Sequence, residues 1–221
     1  VMNTISKMKI MKASIVTFSI LALALFFTSA QSGKDDDGLK IGKKIPMPTE
    51  SMEGADGESY SLNDLMGENG LIVIFSCNTC PFVVGSDNFP GWEVQYNDLY
   101  EKATENKMGL VLINSNAAKR NDVDSKEEMK AHAEAQGYKM PYLVDVDAKL
   151  ADAMGAKTTP HVYVFGSNNK LIYKGSIDNS WDTKSEKLET YLIDAIDAVA
   201  AGTPISNNST TPRGCSIKRS K

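Results

Sequence analysis

Residues 71–81 read Leu71-Ile72-Val73-Ile74-Phe75-Ser76-Cys77-Asn78-Thr79-Cys80-Pro81. The first five form a continuous apolar run, which is typical of a strand buried on both faces of a parallel sheet. A Cys-x-x-Cys pair follows at once. Pro81 suits the first turn of a helix, because that position needs no backbone N–H. The segment therefore predicts a strand, a turn that carries two cysteines, and a helix.

Apolar runs and helical patterns continue on the C-terminal side of this segment. In chain order they predict strands at 109–114 and 142–144, helices at about 125–136 and 149–154, a hairpin at 161–165 and 170–174, and an amphipathic helix at about 184–201 with Leu188 facing the core. Strands that alternate with helices indicate an α/β fold, in which a sheet carries helices on both faces.

The two ends of the chain differ in composition from the middle. Three lysines precede an apolar run at 13–27, and small residues follow at 28–30, which is the layout of a secretory signal. The run is shorter than the roughly 20 residues of a membrane-spanning helix. We expect a cleaved signal peptide at 1–30, a polar linker at 31–38, one domain at 39–201 and a flexible tail at 202–221. An uncleaved membrane anchor is the alternative.

The charge balance argues against nucleic acid as a partner. Loss of residues 1–30 would leave 21 basic residues against 28 acidic ones, a net charge of −7. Export would place the protein where disulfides can form, so the paired cysteines are the residues to explain. We expect a bacterial periplasmic location, and contact with a membrane only if the signal segment is retained.

Two cysteines at a strand-to-helix turn can exchange disulfides. A thiol at a helix N-terminus ionises more readily than a free thiol, whose pKa is about 8.5, so we expect Cys77 to be the nucleophile. Cys80, one turn further on, can then resolve the mixed disulfide.

A zinc site or two inert buried cysteines are the alternatives to disulfide exchange. For zinc, the other candidate ligands are Cys215, His132 and His161, which are not paired at ligand spacing, so no metal and no other cofactor is expected.

The chain resembles the thioredoxin superfamily over residues 39–201. The resemblance rests on the Cys-x-x-Cys-Pro turn together with Thr158-Thr159-Pro160 before a hairpin strand. It implies a thioredoxin-like three-layer fold with a mixed central sheet flanked by helices. It also implies a substrate-binding role for Thr159 and Pro160, in which a cis bond at Pro160 exposes the Thr159 backbone to an incoming extended chain beside Cys77.

Within the superfamily, the chain is most similar to a bacterial redoxin or peroxiredoxin-like branch, related to alkyl hydroperoxide reductase and thiol-specific antioxidant proteins. The shared features are the Cys-Asn-Thr-Cys-Pro-Phe turn at 77–82 and the Gly-Cys-Ser-Ile-Lys segment at 214–218. Peroxiredoxins carry Pro-x-x-x-Thr-x-x-Cys, where this chain has Gly70 and Ile74. Thioredoxins usually place a buried acid at the position of Leu71. Peroxide activation is therefore disfavoured, and the base that assists Cys80 is not identified.

Cys215 is the odd cysteine, and we consider it a possible third thiol or an intermolecular partner. Neighbouring cations are expected to lower its pKa. His161 follows Pro160 and is expected to be structural, and His132 is expected on the surface. The acidic residues at 122–128 are expected in a solvated loop.

The leading functional hypothesis is an exported thiol-disulfide oxidoreductase. It would reduce or exchange disulfides in proteins of the cell envelope through Cys77 and Cys80, with an unidentified envelope redox partner. One alternative is a peroxiredoxin-like antioxidant. Another is a thioredoxin-fold copper-binding assembly factor that uses the soft thiolates for Cu(I), although such proteins typically space their cysteines by three residues.

Overall fold

The computed structural model describes residues 38–220. The predicted signal peptide and residues 31–37 of the predicted linker lie outside the described residues. Within 38–220, no helix has both the length and the apolar character that a membrane crossing requires.

The described chain alternates strands and helices. The strands are β1 (Met52–Glu53), β2 (Ser59–Tyr60), β3 (Gly70–Ser76), β4 (Met108–Asn114), β5 (Tyr142–Val144), β6 (Thr158–Thr159), β7 (His161–Gly166), β8 (Leu171–Gly175) and β9 (Cys215–Ser216). The α-helices are α1 (Pro81–Val84), α2 (Tyr96–Glu105), α3 (Lys126–Gln136), α4 (Lys149–Met154) and α5 (Tyr191–Ala201). Short 3-10 turns lie at Glu93–Gln95, Ala117–Lys119 and Val146–Ala148.

Five strands form the central sheet in the order β5-β4-β3-β7-β8. The pairs β3–β4 and β4–β5 are parallel, whereas β3–β7 and β7–β8 are antiparallel, so the sheet is mixed. Near the end of β3, Phe75 lies opposite His161 and Ser76 lies opposite Asn114. The turn that follows β3 is therefore next to the residues that precede β7.

Helices cover both faces of this sheet because the side chains of β3 alternate between two apolar clusters. Ile72 and Ile74 belong to the first core cluster, with residues of α1, α2, α3 and α5. Leu71, Val73 and Phe75 belong to the second core cluster, with residues of α4. The thioredoxin-like three-layer fold is thus confirmed.

The last helix begins later than its apolar pattern predicts. It starts at Tyr191 rather than near Lys184, and Leu188, which was expected to face the core, is 59% exposed. The Asn179 side chain explains the difference, because its amide donates to Lys187 O at 2.9 Å and its oxygen accepts from Glu189 N at 2.7 Å. These bonds hold the preceding segment as a loop.

The expectation of a flexible tail at 202–221 is wrong for most of the described part of that segment. Thr210 N donates to Lys174 O at 3.0 Å, and β9 pairs antiparallel with β6. Ile217 is 5% exposed within the second core cluster. The tail is held by contacts with residues far away in sequence, which its Ser- and Thr-rich composition does not reveal.

Candidate redox site

The turn after β3 brings Cys77 and Cys80 against the residue before Pro160. Cys77 Sγ lies 3.1 Å from Thr159 Oγ1, and Cys80 Sγ lies 3.1 Å from Thr159 O, which accepts the Cys80 S–H when that thiol is protonated. The Thr159–Pro160 peptide bond is cis. Cys77 and Cys80 are only 2% and 3% exposed. The structure thus brings the predicted cysteine pair and the predicted Thr-Pro loop into direct contact.

The helix after the turn begins three residues later than the expected role of Cys77 requires. Cys80, not Cys77, is the N-cap residue of α1, and its carbonyl oxygen accepts from Val83 N at 2.7 Å and Val84 N at 2.9 Å. Pro81 occupies the first helical turn, as expected. The start of the helix therefore favours negative charge nearer to Cys80 than to Cys77.

The two thiols do not ionise independently of each other. The pKa of Cys80 is lowered to about 5, mainly because Cys77 donates its S–H to the Cys80 sulfur, with further donation from the thiol and the N–H of Cys215. The pKa of Cys77 is raised because its proton is held in that bond, and because Cys77 is buried. The two sulfurs therefore hold one proton between them more readily than both ionise.

Cys215 is the third sulfur of the site. It lies opposite Thr159 in the β6–β9 pair, and its backbone N–H donates to Cys80 Sγ at 3.3 Å. Its pKa is raised to about 11 by burial and by the negative Cys80, and nearby Lys218 opposes this only in part. The expectation that cations lower its pKa is therefore wrong. All three cysteines are free thiols, and Cys215 alone is partly exposed.

A buried carboxylate that the sequence reasoning missed holds the cysteine turn in place. Asp124, expected in a solvated loop, is 0% exposed. Its oxygens accept from Asn78 N at 3.0 Å and from the side-chain amides of Asn114 and Asn116, each at 2.8 Å. Its charge also raises the pKa of Cys77. No sequence motif marks Asp124, because it comes from the loop after β4 rather than from β3.

The side chain of Asn78, within the turn, is fixed as well. Its Nδ2 donates to Val123 O at 2.8 Å, and its Oδ1 accepts from Tyr142 OH at 2.9 Å. The turn is thus held by both the backbone and the side chain of the residue after Cys77, which limits the positions that the two sulfurs can adopt.

The two histidines differ in how they match expectation. His161 is buried, and burial lowers its pKa to about 3, so it is neutral, and its ring packs 4.6 Å from that of Tyr163. These contacts are those of a structural residue. His132 was expected on the surface, but its side chain is only 17% exposed, and its Nε2 lies 2.7 Å from Glu93 Oε2. Glu93 is buried and also accepts from Tyr138 OH at 2.7 Å, which draws His132 inward.

A small cleft of about 120 Å³ lies over the sulfurs. Its lining includes all three cysteines, Thr159, Lys119 and Lys218. Among residues 38–220, no group of three or more His, Cys, Asp or Glu side chains is arranged to hold a metal ion. Thiol chemistry is therefore what the residues of this cleft can supply.

The chain is similar to one protein family and to several solved structures. The Redoxin family model matches residues 40–192. No curated protein matches the chain. An uncharacterized conserved protein from Geobacillus kaustophilus is similar, with 30% identity, a TM-score of 0.73, and coverage of 83% of this chain and 94% of that one.

Two further solved structures are also similar. A hypothetical protein from Sinorhizobium meliloti is 26% identical, with a TM-score of 0.69 and coverage of 83% of this chain and 97% of that one. Peroxidoxin BcpB from Mycobacterium tuberculosis is 16% identical, with a TM-score of 0.53 and coverage of 74% and 97%, and it supports the fold alone.

Proposed function

The chain belongs to the redoxin family, and on that premise we propose that it is a thiol-disulfide oxidoreductase with Cys77 and Cys80 as its redox pair. The observation that carries the proposal is the position of the pair, with Cys77 Sγ 3.1 Å from Thr159 Oγ1 and Cys80 Sγ 3.1 Å from Thr159 O, and the lowered pKa of Cys80 supports it. A thiolate next to a thiol in a protected turn is the arrangement that thiol–disulfide exchange requires.

The reaction transfers two electrons between the pair and a disulfide. In the reducing direction, the two thiols of Cys77 and Cys80 become one disulfide, and the substrate disulfide becomes two thiols. The proton that the pair holds passes to one substrate sulfur, and the other substrate sulfur takes a proton from water. Asp124 and Asn78 serve as positioning residues, because they fix the turn without contacting the cysteine sulfurs in the bonds described above.

The expected substrate is a protein in an extended conformation. The backbone of Thr159 already pairs with a strand, since β9 lies antiparallel to β6 with Cys215 opposite Thr159. The Thr159 edge thus accommodates an extended strand, which supports the role that the family resemblance implies for Thr159 and Pro160, and a substrate would pair there only after β9 leaves it. Main-chain pairing at a sheet edge gives affinity for an extended chain without requiring one particular sequence.

We further propose that the protein works in the bacterial cell envelope, with an envelope redox partner. The support is the signal-like pattern of residues 1–30, which lies outside the described structure. A disulfide-exchanging pair would have substrates there, because extracytoplasmic compartments allow disulfides to form.

The test is the reduction potential of the Cys77–Cys80 disulfide, measured by equilibration with glutathione buffers. A value near about −270 mV would indicate a reductant, and a value near about −120 mV an oxidant. Reduction of insulin disulfides, compared with consumption of hydrogen peroxide, separates this activity from the peroxidase alternative. Cys77→Ser and Cys80→Ser should each abolish formation of the disulfide. If the wild-type protein forms no disulfide between these residues, the proposal is wrong.

A further inference from the structure

The redox pair is covered by the tail of its own chain. Cys77 and Cys80 are almost completely buried, and β9 occupies the Thr159 edge at which a substrate would pair. A protein disulfide therefore cannot reach either sulfur while the tail is docked. Cys215, in that same tail, is the partly exposed sulfur.

The tail is fitted closely to this position. A Cβ atom built on Gly214 would lie 2.1 Å from Thr159 O, so only glycine allows the two backbones to approach this closely. Beyond Cys215, Ile217 N donates to Lys157 O at 3.0 Å, and Lys218 N donates to Asn116 Oδ1 at 2.8 Å. These contacts fix the residues on both sides of Cys215, and thereby fix Cys215 over Cys80.

Cys80 lies beside both of the other cysteines. The backbone N–H of Cys215 donates to Cys80 Sγ at 3.3 Å, and the sulfurs of Cys77 and Cys80 each lie 3.1 Å from an oxygen of Thr159. The thiols of Cys77 and Cys215 both lower the pKa of Cys80, which agrees with this placement. Either neighbour can therefore exchange disulfides with Cys80.

We propose that Cys215 is a third redox-active cysteine, which exchanges disulfides with protein substrates at the surface and with Cys80 inside the site. The inference rests on the proposed function, because the electrons come from the Cys77–Cys80 pair. It assigns a catalytic role to the tail rather than a merely protective one.

The electrons pass between the substrate and the Cys77–Cys80 pair through Cys215 in three exchange steps, which we call the relay. The Cys215 thiol gives up its proton as it attacks the substrate disulfide and forms a mixed disulfide, and the displaced substrate sulfur takes up that proton. The Cys80 thiolate then attacks Cys215 Sγ and releases the second substrate sulfur, which takes a proton from water. Finally, Cys77 attacks Cys80 Sγ, which forms the Cys77–Cys80 disulfide and returns Cys215 as a thiol. The net result is one substrate disulfide reduced and one internal disulfide formed, and the steps run backwards for oxidation.

The first experiment traps the inner step. Cys77→Ser leaves Cys80 and Cys215 as the two thiols, and after oxidation with glutathione disulfide we expect nearly all of the protein to carry a Cys80–Cys215 bond, read by peptide mapping without reduction. The matched control adds Cys215→Ser and Ser209→Cys, which moves the thiol to an exposed position of the same tail that pairs with Lys174 and does not line the cleft over the sulfurs. This control should form less than about a tenth as much of the bond with Cys80. Equal yields, or no Cys80–Cys215 bond, would overturn the proposal.

The second experiment measures turnover. Cys215→Ser should lower kcat/KM for insulin reduction at least about tenfold, by the loss of a nucleophile, while the Cys77–Cys80 disulfide still forms. Ser209→Cys alone, outside that cleft, should keep the wild-type rate. A Cys215→Ser protein that is as fast as wild type, or faster, would show that the tail only covers the site, which contradicts the relay. Failure of the proposed function is distinct, because then Cys77 and Cys80 form no disulfide even in the wild-type protein.

Discussion

Hydrogen-bond donors converge on one sulfur of the site, that of Cys80. The Cys215 N–H donates to it at 3.3 Å, and the Cys77 and Cys215 thiols lower its pKa, whereas Cys77 lies near the negative charge of Asp124. Hydrogen bonds to a charged form favour that form, and a nearby like charge disfavours it. The distribution of charge between the two cysteines is therefore set by residues from three separate parts of the chain.

This arrangement predicts the pH at which the reduced site ionises. The ultraviolet absorbance of the thiolate should rise near pH 5 in the wild-type protein, well below the ordinary value of 9.0. Cys77→Ala should shift this transition upward, because it removes the largest cause of the lowered pKa. Cys215→Ala should shift it less, since its contribution is smaller. If the transition persists in Cys80→Ala, the charge lies on Cys77 and the assignment is wrong.

The lowered pKa of Cys80 also makes the stability of the fold depend on pH. Because the folded pKa of Cys80 lies below its unfolded value, its ionisation stabilises the fold fully above about pH 9, and this contribution is lost as the pH falls to about 5. The raised pKa of Cys77 acts in the opposite direction, but only above about pH 9, where an unfolded Cys77 would ionise. Urea midpoints measured from pH 5 to pH 9 on wild type and Cys80→Ala isolate the contribution of Cys80.

Single residues also show where sequence reasoning stops. Cys77, Cys80, Thr159 and Pro160 could be found from local motifs, because each motif encodes its own turn. The sequence could not place Asp124, since its role depends on amide donors from β4 and from the cysteine turn that meet only after folding. Nor could it show that Cys80, rather than Cys77, caps α1.

Among the elements, β9 depends on a close approach between backbones. Gly214→Ala would place a Cβ atom 2.1 Å from Thr159 O and 2.6 Å from Thr159 C, and neither backbone atom can move aside as a flexible side chain could. We expect the variant to lose the β6–β9 pairing. Amide hydrogen exchange in residues 214–218 should become at least about tenfold faster, as is typical of frayed termini.

A second glycine provides the control for this variant. A Cβ atom on Gly166, at the end of β7, would lie no closer than 3.6 Å to another atom, which is ordinary contact. Gly166→Ala should therefore leave exchange in the tail unchanged. Unchanged exchange in Gly214→Ala as well would mean that the backbones can separate without loss of pairing, contrary to the expectation.

The predicted elements differ in accuracy for a physical reason. The strand at 142–144 and the helix at 149–154 are confirmed with the same bounds, because apolar pattern and length identify them locally. The final helix is seven residues shorter at its start than predicted, since the Asn179 side chain holds a loop there. The strand β9 could not be predicted, because two polar-flanked residues become a strand only when β6 lies beside them.

For the molecule as a whole, the tail joins the two faces of the sheet. Cys215 packs against the first core cluster, whereas Ile217 is buried in the second. Beyond them, the Arg219 guanidinium bonds Asp152 Oδ1 at 2.6 Å and Ala156 O at 2.7 Å. A segment anchored in both clusters should unfold together with the domain rather than separately.

Ile217→Ala tests this cooperativity. Removal of a buried isoleucine side chain costs about 2–5 kcal/mol when the cavity cannot collapse. If the tail belongs to the cooperative unit, that cost appears in the global free energy of unfolding, and urea curves followed by fluorescence and by circular dichroism keep one shared midpoint. Ile41→Ala is the matched control, because Ile41 is 38% exposed and its replacement should cost less than about 1 kcal/mol.

A different result would show that the tail opens by itself. In that case Ile217→Ala would accelerate amide hydrogen exchange in the tail and leave the global midpoint unchanged. The redox pair would then be uncovered in the folded protein, at a rate set by how strongly the burial of Ile217 stabilises the docked tail.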